Sequence, residues 1–442
     1  MCFKKIKMMI IKINKNNYGG KMRRPILILF IFLLFISFIY TNNKELDKIE
    51  DKEKIIIEGV VRDKIEKDKY DQYKIEKYLV NDYSRKLDIK IGKIVKINGS
   101  IKSLDKLNFS DFNYGRYVRS TGYKGVITAK YYKIKGEDKF YSFIGNIKVY
   151  LRDTFRYLYK DNSDFINSLL LGQKEYLNKD EKDMFAKTGT SHIIAISGLH
   201  IGILCTVITI IINGINKFYK LIILIMIITL YSIIVGFSPS ISRSIVFVVV
   251  MYLAIFLKEK RDGICTLSFA GIFLILNNPY IIYNTSFQLS FLATLSIIYF
   301  YKIINKYFKI SVISISLSAN ILTWPIVYYV FKGIPIIFLV GNIIIVPVIG
   351  LIINISIASV FLFRISIIIS KILVYLNKSI IIMVYYLLDK LANNKLAYIE
   401  IKNPKLFYVT FYYILIFSYM IFRELKIMKE QENGLQGYNK EY

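Results

Sequence analysis

The chain reads as a polytopic α-helical membrane protein of about ten spans with a small, OB-like extracytoplasmic β-barrel near its N-terminus. Three observations predict this. Of 442 residues, 54% are hydrophobic, and they fall in uninterrupted runs of bilayer length rather than being scattered through one core. A basic start precedes the first run, and between residues 45 and 140 the character changes to charged segments with alternating apolar residues. Together with the balance of 61 Lys+Arg against 32 Asp+Glu, a net charge of +29, this composition excludes an ordinary soluble globule. Three cysteines and two histidines exclude a disulfide framework and a His/Cys metal cage, so no metal and no cofactor are expected.

Residues 1–24 carry Lys4, Lys5, Lys7, Lys12, Lys15, Lys21, Arg23 and Arg24 without an acid, and PILILFIFLLFISFIY follows over 25–40. That order predicts a basic cytoplasmic N-terminus and a retained signal-anchor helix. Residues 45–140 hold KIIIEGVV, DQYKIEKYLV and KIVKINGSI, punctuated by Gly59, Asn98, Gly99, Gly122 and Gly125. Short alternating runs with such breaks predict a compact barrel. Over 145–190 amphipathic interfacial helices are expected: Ile147, Tyr150, Leu151, Phe155 and Leu158 recur at helical spacing, with Lys148, Arg152, Arg156 and Lys160 elsewhere around the helix.

Residues 191–423 are predicted to be a transmembrane domain, with spans near 193–214, 221–236, 241–257, 263–277, 284–301, 310–331, 335–363, 365–388 and 406–422. The connections expected in the cytoplasm hold Lys217 and Lys220, Lys258, Lys260 and Arg261, Lys302, Lys306 and Lys309, Arg364, and Arg423, Lys426 and Lys429; those near 237–240 and 278–283 hold no Lys or Arg. This asymmetry predicts a multi-pass plasma-membrane protein with both termini, including a tail over 424–442, in the cytoplasm. Lys371 and Lys378 inside one proposed span, and the long run 335–363, strain the count.

Polar residues inside the spans carry the functional argument. In SHIIAISGLHIGIL, Ser191, Ala195, Gly198 and Gly202 form a small-residue seam, so Gly198 and Gly202 are expected to pack helices. Ser197 and His200 share the neighbouring face; a helix beginning at Ser191 would put His200 ~14 Å deep. A satisfied histidine at a helix contact competes with a polar lining there. In GFSPSISRS, Ser238 is placed to cap, Pro239 to open the first turn and Arg243 to meet a phosphate or carboxylate, against the alternative of interfacial snorkelling. Gln288, Ser290, Asn320, Thr323 and Asn342 are further polar positions, and Pro347 between Gly341 and Gly350 suggests a broken or re-entrant helix. In the ectodomain, Arg116, Arg119 and Lys124 alternate with Tyr117 and Tyr123, a pattern suited to phosphates and bases or simply to exposed strands.

FNYGRYVRSTGYKGV, NSLLLGQKEYL, GTSHIIAISGLHIGIL, GFSPSISRS, NPYIIYNTSFQLSFLA, TWPIVYYVF and GNIIIVPVIG occur in that order. In this they resemble the ComEC family, membrane channel proteins of bacterial DNA uptake in natural competence. The resemblance implies inward passage of single-stranded DNA, an extracytoplasmic DNA receptor and a cytoplasmic ATP-driven translocase; the lipid bilayer and a second copy of the chain in a homo-oligomer are further candidate partners. No phosphate-binding loop motif is present, so a motor has to be a partner. Many relatives append a metallo-β-lactamase-like nuclease domain; no histidine follows His200 here, so no strand-degrading activity is expected and a nuclease would be a separate partner. The DNA path is assigned to Ser197, His200, Arg243, Gln288 and Asn342. Two other readings are a small-solute or ion transporter, suggested by a broken helix at Asn342, and an enzyme with Ser197 as nucleophile and His200 as base. The second is disfavoured because side chains three apart on one helix rarely align for proton transfer, so the protein is read as no enzyme, with no catalytic residues.

Overall fold

A computed structural model describes residues 24–43, 51–107, 113–257 and 262–438. The basic start to residue 23 and the cations Lys258, Lys260 and Arg261 lie outside the described residues, as does the side chain of Lys429. The elements are α1 (Pro25–Asn43), β1 (Lys52–Glu66), β2 (Asp71–Ile75), β3 (Tyr78–Asp82), β4 (Lys93–Lys102), α2 (Tyr114–Ser120), β5 (Gly125–Glu137), α3 (Lys139–Tyr159), α4 (Ser163–Leu171), α5 (Lys179–Lys187) and α6 (Ser191–Ile194). They continue as α7 (Gly198–Ile211), α8 (Lys217–Val235), α9 (Pro239–Leu257), α10 (Gly263–Asn277), α11 (Thr285–Phe308), α12 (Ser311–Val330), β6 (Gly333–Pro335), α13 (Phe338–Phe363), α14 (Ile367–Ala392), β7 (Tyr398–Glu400) and α15 (Leu406–Tyr438). Two compact units result, one of residues 1–176, 195–291 and 357–370, the other of residues 177–194, 292–356 and 371–442.

In the first unit the strands pair in the order β1-β2-β3-β5-β4, and β1 also pairs with β4, so the sheet closes on itself. Only the β3–β5 pair is parallel. Alternation along the strands turns Val61, Tyr73, Ile75, Val80, Val95, Ile97, Ile101 and Ile127 inward into one apolar core, as period-two side chains require. Gly59 and Gly99, expected to punctuate turns, lie inside β1 and β4. At Gly99 the reason is a bulge against β5, where an added Cβ would stand 2.3 Å from the Thr128 carbonyl oxygen. Gly122, with φ +90°, does serve a turn.

The α3 helix is capped by Asp138, which accepts from Tyr141 N, and buries Ile144, Phe155 and Leu158. It is tied to the barrel by Lys148, whose Nζ lies 2.7 Å from Asp63 Oδ1, while Lys74 Nζ approaches Asp63 Oδ2 at 2.9 Å. Burial alone would raise the Asp63 carboxyl, but the two ammoniums outweigh it and hold its pKa below the ordinary value. Further along α3, Arg364 places its guanidinium 4.7 Å from the Tyr150 ring centroid and donates Nε–H to the Tyr150 hydroxyl at 2.9 Å. Arg364, grouped by sequence with the cytoplasmic connections, thus contacts the helix that Lys148 fastens to the barrel.

Among the described residues, α1, α8, α11, α12, α13, α14 and the Leu406–Lys426 stretch of α15 are long and apolar enough to cross a membrane. Gly198–Ile211, Pro239–Val250 and Gly263–Asn277 are shorter apolar helices. The apolar segments are thus helical, with two departures from expectation. The first crossing does not begin at Ser191: the helix stops after Ile194 and restarts at Gly198. Pro347 does not break its helix, since α13 runs unbroken through it; neighbouring side chains and helices tolerate proline in membrane helices. In the second unit, α13 and α14 are joined by Asn377, which donates to the Ile352 carbonyl at 3.2 Å and to Ser356 Oγ at 2.9 Å. There too β6 pairs with β7, and Tyr412 and Tyr413 donate to the Ile321 and Leu322 carbonyls.

Replacing Asp63 with Ala is expected to lower stability by about 3 kcal/mol, the cost of leaving buried cations uncompensated. Because the native carboxyl is held low, its contribution is present above the unfolded value of ~3.9 and drains as pH falls through the lower native value. Thermal unfolding of the purified protein should therefore lose more stability between neutral and strongly acidic pH in the wild type than in Asp63→Asn.

Candidate functional site

Three helix starts supply the polar groups of the first unit. Ser197 is extended, with φ −128° and ψ 176°, and caps α7 by accepting from Leu199 N at 3.3 Å. His200 takes the reciprocal place of a capping box, its Nδ1 accepting from Ser197 N at 3.2 Å. The expected common helical face is therefore replaced by a cap, and His200 lies in the first turn rather than deep along a continuous helix. The same geometry brings Ser197 Oγ within 3.1 Å of His200 Nδ1, with Ser197 itself outside the helix. The serine hydroxyl and the Nδ1 edge of the imidazole are spent on helix initiation, worth roughly 0.5–2 kcal/mol.

At the start of α9, Ser238 accepts from Ile241 N at 3.2 Å, the cap expected of it. One turn in, Arg243 donates Nη1–H to the Ser290 carbonyl of α11 at 2.9 Å. Its Nε is buried with no partner, and among the described residues no carboxylate pairs with it. Ser290 Oγ also donates to Ser240 Oγ at 3.3 Å, and Ser244 Oγ donates to the Ser240 carbonyl at 2.9 Å. The start of α7 comes against this cluster through Gly198, where an added Cβ would stand 3.1 Å from Ser244 Oγ and 3.2 Å from Arg243 Nη2. Gly198 is thus a close-approach residue as expected. Gly202 is not: among the described residues an added Cβ there would meet nothing within 4 Å, so none of the described helices packs on it.

The other path residues fall elsewhere. Gln288 donates Nε2–H to the Ile282 carbonyl at 2.7 Å, which braces the start of α11. Asn342 belongs to the second unit, 5% exposed in the first turns of α13, with its Oδ1 unpartnered. Its neighbour Gly341 lies where an added Cβ would come 2.5 Å from the Thr188 carbonyl oxygen.

The ectodomain cations are mostly used for docking. Arg116 places its guanidinium 4.8 Å from the Tyr283 ring and donates to Asn42 Oδ1 at 3.0 Å; Arg119, 9% exposed, lies 5.6 Å from the Tyr280 ring. Asn278 Nδ2 donates to the Arg119 carbonyl at 2.8 Å, and Ser37 Oγ to the Pro279 carbonyl at 2.6 Å. Short α2 is therefore latched to the 3-10 turn Pro279–Tyr283 and to the end of α1, which corrects the reading of Arg116 and Arg119 as open phosphate contacts. Tyr123 is half-buried beside Leu79, Leu104, Val118 and Val126. Lys124 is exposed and Tyr117 is 44% exposed. The latch partners Asn278, Tyr280 and Tyr283 had been read as a connection without cations and as part of a family motif, not as contacts of the ectodomain; the clustered Asn and Tyr of NPYIIYN were the available signal.

These features define a helical membrane protein that carries a closed five-stranded barrel and, in its first unit, sets polar groups at the starts of three helices. Residues 169–426, more than half of the chain, match the family described as "Competence protein", and the chain belongs to that family. It is 28% identical over 192 residues to "ComE operon protein 3" of Bacillus subtilis (strain 168), covering 42% of this chain and 24% of that protein. It is also 27% identical over 157 residues to an "Uncharacterized protein" of Aquifex aeolicus (strain VF5), covering 35% of this chain and 37% of the relative. The chain thus spans about a quarter and about a third of the length of these relatives. No solved structure matches.

Gly198→Val is expected to force α7 and α9 apart and cost about 1–3 kcal/mol as an overpacked contact, whereas Gly202→Val should leave thermal stability within about 0.5 kcal/mol. Unfolding temperatures of the two variants in the same detergent give the comparison.

Proposed function

We propose that this chain is a bacterial plasma-membrane channel for inward translocation of single-stranded DNA in natural competence. Membership of the competence family supports a role in that process, and the observation that carries the channel reading is Arg243. A guanidinium among apolar helices, beside two helix starts and with no carboxylate partner among the described residues, favours an anion that passes rather than a fixed counter-charge. Ser197, His200, Gln288 and Asn342 are the other residues assigned to the path, with the capping pair and Gln288 shaping its walls rather than offering free groups. Lys124, Tyr117 and Tyr123 are assigned to DNA outside the membrane.

The OB identity of the barrel, the count of about ten spans, the cytoplasmic termini and the domain limits derived from sequence belong to the same proposal. So do the extracytoplasmic DNA receptor, the ATP-driven translocase, a separate nuclease and a homo-oligomer. The transporter alternative loses its motive, because α13 continues through Asn342 and Pro347. A non-enzymatic role agrees with the capping duty of Ser197 and His200.

Deleting the gene in a transformable host should abolish internalisation of labelled DNA, and unchanged uptake rejects the channel. Restoring the gene with Arg243→Gln should leave uptake at least about tenfold lower, ~1.4 kcal/mol, while Arg243→Lys should retain part of it.

A further inference from the structure

The barrel is closed over only part of its height. β3 pairs with β5 from Gly125 to Thr128 and then ends, whereas β5 runs on to Glu137 with β4 along its other side. Over residues 129–137, one edge of β5 therefore has no strand beside it among the described residues. The segment Tyr83–Gly92 does not take that place. It sends Leu87 and Ile89 into the barrel core and is bonded to β1 and β2, through Gly92 N to the Val61 carbonyl at 2.8 Å and through the Tyr73 hydroxyl to the Leu87 carbonyl. It meets the far end of β5 only past the strand, where Asp138 N donates to the Gly92 carbonyl at 2.8 Å. Lys130 to Lys135, consecutive along β5, are all exposed as a result.

The side chains along this edge fall into two rows, because paired residues share a face of the sheet. Tyr132 stands opposite Ile97 and Ile134 opposite Val95, both fully buried in the core, so Tyr132 and Ile134 belong to the inner face. They are nevertheless 37% and 47% exposed, since no strand beyond β5 covers them. Tyr131 and Lys133 stand opposite Asn98 and Lys96 on the outer face, and Lys135 Nζ reaches Glu58 Oε2 of β1 at 3.8 Å on that same face. The edge thus combines unpaired main-chain groups, an apolar row without its neighbour and a row of ammoniums. A strand added there would extend the ladder, cover Tyr132 and Ile134 with its own apolar side chains and meet Lys133 and Lys135 with carboxylates.

Charge selects the occupant. The same edge of a second copy would set lysines against lysines, an opposition that destabilises cross-strand pairs. Nucleic acid would satisfy the ammoniums but has no amide ladder to give the free edge. Lysines on an edge also discourage indiscriminate strand pairing, and an acidic strand turns that repulsion into attraction. We propose that the β5 edge over residues 129–137 binds, by strand addition, an extended segment of a partner protein in which acidic and apolar residues alternate. Such docking is independent of whether DNA is the cargo.

The test titrates the full chain in nanodiscs into a short fluorescein-labelled peptide of alternating glutamate and valine, read by anisotropy. Saturable binding is expected. The same peptide N-methylated along its backbone cannot donate to the ladder and should bind about tenfold or more weakly. Lys133→Glu/Lys135→Glu should weaken the unmethylated peptide about tenfold and take up a lysine–valine peptide in its place, which separates lost charge from lost folding. A wild-type chain that binds no glutamate–valine peptide overturns the proposal, as does equal binding of the methylated and unmethylated forms, the mark of a charge contact without a ladder. Absent peptide binding, a labelled oligothymidylate that binds wild type and not the double variant gives the surface to nucleic acid, and dimers in light scattering give it to a second copy. Either result overturns the proposal.

Discussion

A guanidinium held among apolar helices has to be neutralised or solvated, and Arg243 sets this constraint for the rest of the first unit. Placing such a group in a bilayer costs about 2.5–3.5 kcal/mol on insertion scales. Only part of that is recovered by the Ser290 carbonyl. The surrounding design follows from what remains. Serines at the start of α9 return their hydroxyls to backbone and to one another, helix starts present N–H groups on the same side, and Gly198 lets α7 come close enough to add its own start. A larger residue at 198 would separate the two helices that make the environment tolerable.

The barrel is held by a different balance. Polar docking of α2 on the turn Pro279–Tyr283 uses cation–π stacking and amide-to-carbonyl bonds, which keep their strength at a partly wet boundary better than exposed ion pairs do. Elsewhere on the barrel, α3 is fixed to β1 by the largely buried Asp63–Lys148 pair, with Lys74 completing it. Buried charges of this kind hold geometry more than they add stability. Two fastenings at separate points of the barrel restrain its orientation on the helices of its own unit.

Much of the fold was legible because its signals are one-dimensional. Bilayer-length apolar runs became helices, alternating runs became strands, and Ser238 became a cap, each through a local rule of period or hydrogen bonding. The failures share a cause as well. Ser197 and His200 suit a helical face as well as they suit a capping box, and the choice depends on where the helix starts. Pro347 reads as a break until neighbouring helices are present to accommodate it. Arg116, Arg119 and Gln288 read as open polar groups because their partners lie on segments remote in sequence: Tyr283, Tyr280 and Asn42 for the arginines, the turn before α11 for the glutamine.

The sequence by itself determined the solvent each segment requires: hydrocarbon for the apolar runs, water for the charged alternating stretch, and a polar setting for the few hydrophilic residues inside the spans. It did so because transfer free energy depends on the residues of a segment and hardly on what lies beside it. Tertiary structure alone decided which polar groups were already satisfied and which were left over. That depends on partners far along the chain, and it is why Arg119 is a fastening, Gly202 an open position, and Arg243 a cation with hydrogen-bonding capacity to spare.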